Sequence, residues 1–248
     1  MKKYLKIIPN VVTFLNLFSG FLAIYLAFNK ELGLASMAIM LATIFDLLDG
    51  RLARVLGVSS EIGKELDSFS DLLTFGIAPA FLFFNFFTTT YPNQFPTWFL
   101  IGFSFLFVIT ATIRLATYNV KTDSDQPVKF FTGMPSTLAG ISLASFFGFN
   151  HSNDGLTLLL KKYFPDISLK LPFPCWVYLA IFLLYAFLMV SKIPYAKSNS
   201  RLFNFKSFWN ILYNIAFFIF LFTAFKFFVI TVVILYTISP LTRKLRAK

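Results

Sequence analysis

Apolar residues run along this chain in long blocks, parted by short polar or turn-rich connectors such as TTTYPNQF at 88–95, KTDSDQP at 121–127 and KIPYAKSNSR at 192–201. A helix crossing a bilayer needs about 20 mostly apolar residues. That ruler predicts eight spans, near 11–28, 33–50, 66–88, 97–119, 133–149, 172–191, 208–225 and 227–241. Pro, Asn and Ser break the connectors, and no long linker divides the chain. The pattern predicts an all-α integral membrane protein of one domain over 1–248, with a core at roughly 8–190 and two additional C-terminal helices over 208–241.

Composition agrees with that pattern. The chain is 57% hydrophobic and only 13% charged, against about 25% charged for an ordinary soluble domain, so it cannot cover a globular surface with polar groups. Lys and Arg outnumber Asp and Glu by 22 to 11, and the apolar spans assign this excess to a membrane face and not to nucleic acid. With the N-terminus inside, 17 of the 22 cations fall on the inner connectors and ends, which predicts eight spans with both termini cytoplasmic. The basic start MKKYLKIIPN reads as a retained, interfacial lead into the first span. The single cysteine, Cys175, allows neither an internal disulfide nor a Cys-based metal site. The 36 Phe residues read as lipid-facing and interhelical filler.

Six of the eleven acidic residues lie between 46 and 71. Charge at membrane depth is expensive, and only Arg51, Arg54 and Lys64 are at hand nearby to pair with them. Asp46, Asp49, Gly50, Ala53 and Arg54 recur at three and four residues and share one helical stripe; Gly63, Asp67 and Asp71 form another on the next helix. The short connector VLGVSSEI at 55–62 predicts antiparallel helices whose stripes face each other. Carboxylates brought together in this way resist joint ionisation. Mg²⁺ or Mn²⁺, hard cations that take oxygen ligands, resolve the conflict where a phosphate is also bound. Gly50 and Gly63 leave room for a diphosphate at the backbone, and Arg54 can donate to a phosphate as a fork.

The string Asp46-x-x-Asp49-Gly50-x-x-Ala53-Arg54, eight residues, Gly63-x-x-x-Asp67-x-x-x-Asp71 resembles the signature of the CDP-alcohol phosphatidyltransferase family, with every position filled. The cation bias puts the stretch 50–66 on the cytoplasmic side of the cell membrane, and the resemblance implies a six-helix catalytic core. Asp46, Asp49, Asp67 and Asp71 would hold two metal ions, Asp71 would also be the general base, and Gly50, Ala53, Arg54, Ser60 and Gly63 would bind the CDP-lipid. It also implies a homodimer. IPNVVTFLNLFSG at 8–20, ELDSFSDLLTFGIAPA at 65–80, IRLATYN at 113–119 and FTGMPS at 131–136 are most similar to members that transfer the phosphatidyl group of CDP-diacylglycerol to serine. Thr117 departs from that text, which leads one to expect a second arginine there.

In a family-like pose Asn10 and Thr13 would hydrogen-bond cytosine, although capping of the first helix explains Asn10 equally well. Serine's carboxylate needs a cation; Arg114, with Asn119, is the candidate for the acceptor pocket, and a helix-end cation serving topology is the competing reading. His151, the only histidine, falls in an outer connector, which excludes a Ser-His-Asp triad at the acids. Asn150-His151-Ser152 fits a glycosylation acceptor, and Gly133, Pro135, Ser136, Gly140 and Ser142 suggest close helix packing. Two rivals are an acceptor such as glycerol 3-phosphate on the same scaffold, and an ion-coupled transporter, which would spread its acids across depth or repeat them in two halves.

Overall fold

The computed structural model describes residues 7–58, 60–122, 130–148 and 173–196. Its first helix, α1 (Ile7–Phe28), buries Pro9, Thr13, Asn16, Gly20, Ala23 and Ala27, alternately three and four residues apart, and exposes Phe14, Phe18, Phe21, Tyr25 and Phe28. The arrangement inverts that of a water-soluble helix. Between helices in lipid there is no hydrophobic drive, so small residues take the contact and bulky ones face the chains. The buried residues of α2 (Leu32–Val55) are likewise mostly small, Gly33, Ala35, Ser36, Ala38 and Ala42 among them, and α1 and α2 form the most extensive pair.

Local signals define the turn after α2. Gly57, at φ 62°, ends it as a Schellman motif: the Val58 amide bonds to the Ala53 carbonyl at 3.0 Å and the Gly57 amide to that of Arg54 at 3.3 Å. Ser60 then caps α3 (Glu61–Asp71), its Oγ accepting from the Gly63 amide at 3.1 Å. A π-helical turn, Leu72–Ile77, continues α3 directly into α4 (Ala78–Thr90). Neighbours crowd this turn. A Cβ on Gly20 of α1 would collide with Thr74, and one on Gly140 would lie 2.8 Å from the Cα and carbonyl oxygen of Phe75.

The fourth long helix, α5 (Thr97–Thr122), pairs antiparallel with the α3–π stretch. Asn119 donates to Ser68 Oγ at 2.8 Å at one end, and Gly76 faces Ala111 at the other. Beyond it, α6 (Ser136–Gly148) packs on α2, where Ser36 donates to the Ala144 carbonyl at 2.6 Å, and α7 (Cys175–Val190) packs on α5. On the α4 side the core is aromatic: Phe83 stacks on Phe182 with centroids 3.9 Å apart, and Phe86 contacts Phe147 at 5.0 Å and Tyr178 at 4.9 Å. The Phe run at 81–87 is therefore chiefly interhelical rather than lipid-facing.

Four helical stretches, Ile7–Phe28, Leu32–Val55, Glu61–Thr90 and Thr97–Val120, are long and apolar enough to cross a membrane. Helices occupy the fifth and sixth expected spans: α6 is described as far as Gly148, and α7 is 16 residues long, about 24 Å at 1.5 Å per residue. The expected spans at 208–225 and 227–241, and His151 with its neighbours, lie outside the described residues. The second and third spans are longer than hydropathy predicts, since helix formers such as Arg51, Arg54, Lys64 and Glu65 carry the helices on past their apolar parts. Also unforeseen is an antiparallel ribbon of β1 (Phe130–Thr132) and β2 (Pro194–Ala196), paired Phe130 to Ala196 and Thr132 to Pro194. Connector composition hid it, because three-residue strands have no readable alternation.

Gly140→Ala forces a methyl against the backbone of Phe75, and is expected to destabilise the fold by about 1–3 kcal/mol. Gly102→Ala, with nothing within 4 Å, is expected to be neutral or to stabilise by up to about 1 kcal/mol. Unfolding midpoints in detergent check the pair.

Candidate active site

Three helices form a cleft of about 200 Å³. Pro9, Asn10 and Thr13 of α1 form one wall, Asp49, Gly50, Ala53 and Arg54 of α2 the second, and Gly63, Lys64 and Asp67 of α3 the third, with Val58 and Ser60 of the turn at its end. The periodicity argument accounts for this meeting, because the Gly57 and Ser60 caps bring α3 back along α2 with the acidic stripes facing. One carboxylate oxygen from each of Asp46, Asp49 and Asp67 lies within 4.8 Å of the other two. Asp49 is only 4% exposed. Asp71 stands one turn further along α3, interacts electrostatically with the other three, and accepts a hydrogen bond on Oδ1 from Asn16 Nδ2 at 3.5 Å.

The convergence leaves polar atoms unsatisfied. Among the described residues, Asp49 Oδ2 and Asp67 Oδ1 are buried without a hydrogen-bond partner. A buried polar atom without a partner is costly, and an unpartnered carboxylate oxygen where three carboxylates meet is what a hard divalent cation satisfies. The donor set therefore fits Mg²⁺ or Mn²⁺.

The remaining candidates divide between the cleft and its supports. Gly50 opens into free space, with nothing within 4 Å of where a Cβ would stand. Arg54 is exposed and donates through Nε to the Gly50 carbonyl at 2.8 Å, which holds the guanidinium along the rim. Ser60 is engaged as a helix cap. Thr13 is buried, its hydroxyl donating to the Pro9 carbonyl at 3.2 Å, and it lines the cleft with Asp49, while Asn10 Oδ1 would lie 3.3 Å from a Cβ on Gly63.

Arg114 and Asn119 do not line the cleft. Arg114 is 7% exposed, donates through Nε to the Met134 carbonyl at 3.1 Å and lies 5.4 Å from the Tyr118 ring centre. Asn119 reaches α3 through Ser68, next to Asp67. Since Asn119 meets Ser68 and Ala111 meets Gly76, Arg114 lies at the level of the helix turn that begins at Asp71. Thr117 is exposed, so the departure in the IRLATYN text is on the outer face of α5.

Sequence reasoning missed Asn16. The signal was present, since Pro9, Thr13, Asn16 and Gly20 continue one stripe, but hydropathy alone defines α1 without distinguishing its faces. Lys64, by sequence only a cation near the acids, lines the cleft. Mn²⁺ at 100 times its Kd is expected to stabilise the fold by about 2.7 kcal/mol, and Asp49→Asn and Asp67→Asn to lose most of that gain, read as the unfolding midpoint against Mn²⁺ concentration. Absence of any shift in the wild type would refute the metal reading.

A family model described as CDP-alcohol phosphatidyltransferase matches residues 6–161. Among curated relatives, the CDP-diacylglycerol--serine O-phosphatidyltransferase of Mycobacterium tuberculosis is 34% identical over 143 residues, 56% of this chain and 48% of that protein. The archaetidylserine synthase of Methanothermobacter thermautotrophicus is 36% identical over 143 residues, 56% of this chain and 57% of that protein. The chain thus spans about half the length of these two. A CDP-diacylglycerol--serine O-phosphatidyltransferase of Methanocaldococcus jannaschii is 32% identical over 196 residues, 79% of this chain and 77% of that protein. Because the matched region takes in more than half of the chain and both acid-bearing helices, the chain belongs to the CDP-alcohol phosphatidyltransferase family.

Proposed function

We propose that this protein transfers a phosphatidyl group from CDP-diacylglycerol to serine, giving phosphatidylserine and CMP. The observation that carries the reading is the convergence of Asp46, Asp49 and Asp67, with partnerless oxygens, beside the open face at Gly50. Relatives named for a serine acceptor, with either a diacylglycerol or an archaeal lipid, support serine. The clustering of the acids at one level supports an enzyme over an ion pathway, which would spread them along the spans.

In this reading Asp46, Asp49, Asp67 and Asp71 hold two divalent ions, Mg²⁺ or Mn²⁺. When bound, these ions neutralise charge on the diphosphate. Gly50, Ala53 and Gly63 leave space for the diphosphate, Arg54 donates to it from the rim, Ser60 keeps its hydroxyl proton available to it, and Asn10 and Thr13 meet the cytosine. Asp71 takes the proton of the serine hydroxyl as that oxygen bonds to the lipid-side phosphorus and the bond to CMP breaks. Arg114, steadied by the Met134 carbonyl and with Asn119 toward the α3 end, receives the serine carboxylate. The excess of Lys and Arg on the N-terminal side of the membrane supports a cytoplasmic site and cytoplasmic termini.

Purified protein with CDP-diacylglycerol and Mn²⁺ is expected to release CMP with serine and not with glycerol 3-phosphate or inositol, and Asp71→Asn to lower the rate at least about 100-fold. Release with another acceptor alone would keep the chemistry and discard serine. Arg114→Met is expected to raise KM for serine at least about 10-fold while leaving KM for the CDP-lipid near the wild-type value, since a charge-assisted hydrogen bond is worth about 1.5–3 kcal/mol; a matched rise in both would assign Arg114 to the fold alone.

A further inference from the structure

Asn16 is fully buried, at 0% exposure, in the middle of α1. An uncharged amide at that depth is stable only when its donor and acceptor are both met. Its Nδ2 donates to Asp71 Oδ1 at 3.5 Å; its own Oδ1 is buried and has no hydrogen-bond partner among the described residues. One end of the amide thus holds a reacting group while the other presents an acceptor with nothing in the described chain to fill it.

The backbone around Asn16 is held independently of that side chain. Thr74, in the π turn, donates through Oγ1 to the Asn16 carbonyl at 3.3 Å, and one turn earlier Ser70 donates to the Thr13 carbonyl at 3.3 Å. Thr74 can come so close only because Gly20 has no Cβ. Hence α1 is registered on α3 by two hydroxyls, and the two α1 residues so registered are placed at the acids, Thr13 lining the cleft with Asp49 and Asn16 donating to Asp71. Asp71 is also the carboxylate outside the three-way convergence of Asp46, Asp49 and Asp67, which sets Asn16 on the side of the proton acceptor.

We propose that Asn16 is a positioning residue for the reaction: its amide N–H fixes the Asp71 carboxylate, and its carbonyl oxygen receives a hydrogen bond from the ammonium group of the acceptor alcohol. The inference rests on transfer to serine with Asp71 as the base, and adds a means of recognition to it. An amino alcohol that places its hydroxyl at Asp71 carries an ammonium a few bonds away, and a neutral carbonyl oxygen accepts from that group without adding another negative charge. The 3.5 Å separation is at the long end for such a bond.

The test compares wild type, Asn16→Leu, which keeps the volume and removes both polar ends, and Thr74→Val, which removes only the hydroxyl that registers α1. CMP release is measured against serine and against CDP-diacylglycerol, Mn²⁺ affinity by paramagnetic resonance, and stability by the unfolding midpoint. Asn16→Leu is expected to lower kcat about 10- to 100-fold and to raise KM for serine, with KM for the CDP-lipid unchanged and Mn²⁺ affinity lowered by less than kcat. Thr74→Val is expected to change kcat in the same direction by less, and it decides the matter if Asn16→Leu does not fold. Unchanged kcat in the folded variants overturns the proposal, as does an unchanged KM for serine in Asn16→Leu. A rise in KM for the CDP-lipid that matches the rise for serine also overturns it, since Asn16 then acts on the packing of the whole site. Failure of the serine reading itself would be seen in the wild type, before any variant is compared.

Discussion

Several carboxylates must be kept together inside a bundle of apolar helices, and much of the described architecture derives from that demand. Isolated charge at such depth is costly, so the acids are gathered on two adjoining helices where they can share cations, and a third helix supplies neutral donors. This explains why α1 turns Thr13 and Asn16 inward while Phe14 and Phe18 face out. It also explains the small residues along α1 and α2, since a side chain as short as Thr or Asn reaches a carboxylate only when the backbones are close.

The π turn after Asp71 links this polar half to the rest. A π turn inserts an extra residue into the helical repeat and rotates the helix beyond it. Asp67 can therefore face the cleft, with Asp71 one turn beyond it against Asn16, while Phe83, Phe86 and Phe87 on the same continuous span lie in the aromatic core. Gly20 and Gly140 let α1 and α6 close on the turn from two sides, so the crossing that orients Asp71 is also a packing junction. The aromatic half, with Phe147, Tyr178 and Phe182 on α6 and α7, gives α4 a densely packed backing.

Arg114 is an example of a residue with two connections. Its Nε supports the Met134 carbonyl, in the turn where Gly133, at φ 81°, donates to the Ile193 carbonyl and Met134 to that of Leu188. The same guanidinium stands near the level of Asp71 because α5 runs antiparallel to α3. A substitution there acts on the turn as well as on any bound anion.

Helical periodicity made the acidic face legible in the sequence. Asp46, Asp49, Asp67 and Asp71 recur at three and four residues, and Gly57 and Ser60 are local turn and cap signals, so the antiparallel pair and its convergence stem from residues close together in the chain. The long apolar blocks likewise determined that the chain lies in a membrane. Tertiary structure alone decided that Asn16 meets Asp71 across 55 positions and that Asn119 meets Ser68 across 51. Hydropathy and spacing describe one helix at a time, whereas these contacts depend on how helices cross. Those crossings are set by where Gly20, Gly76 and Gly140 allow neighbours to close in and by the one-residue offset of the π turn.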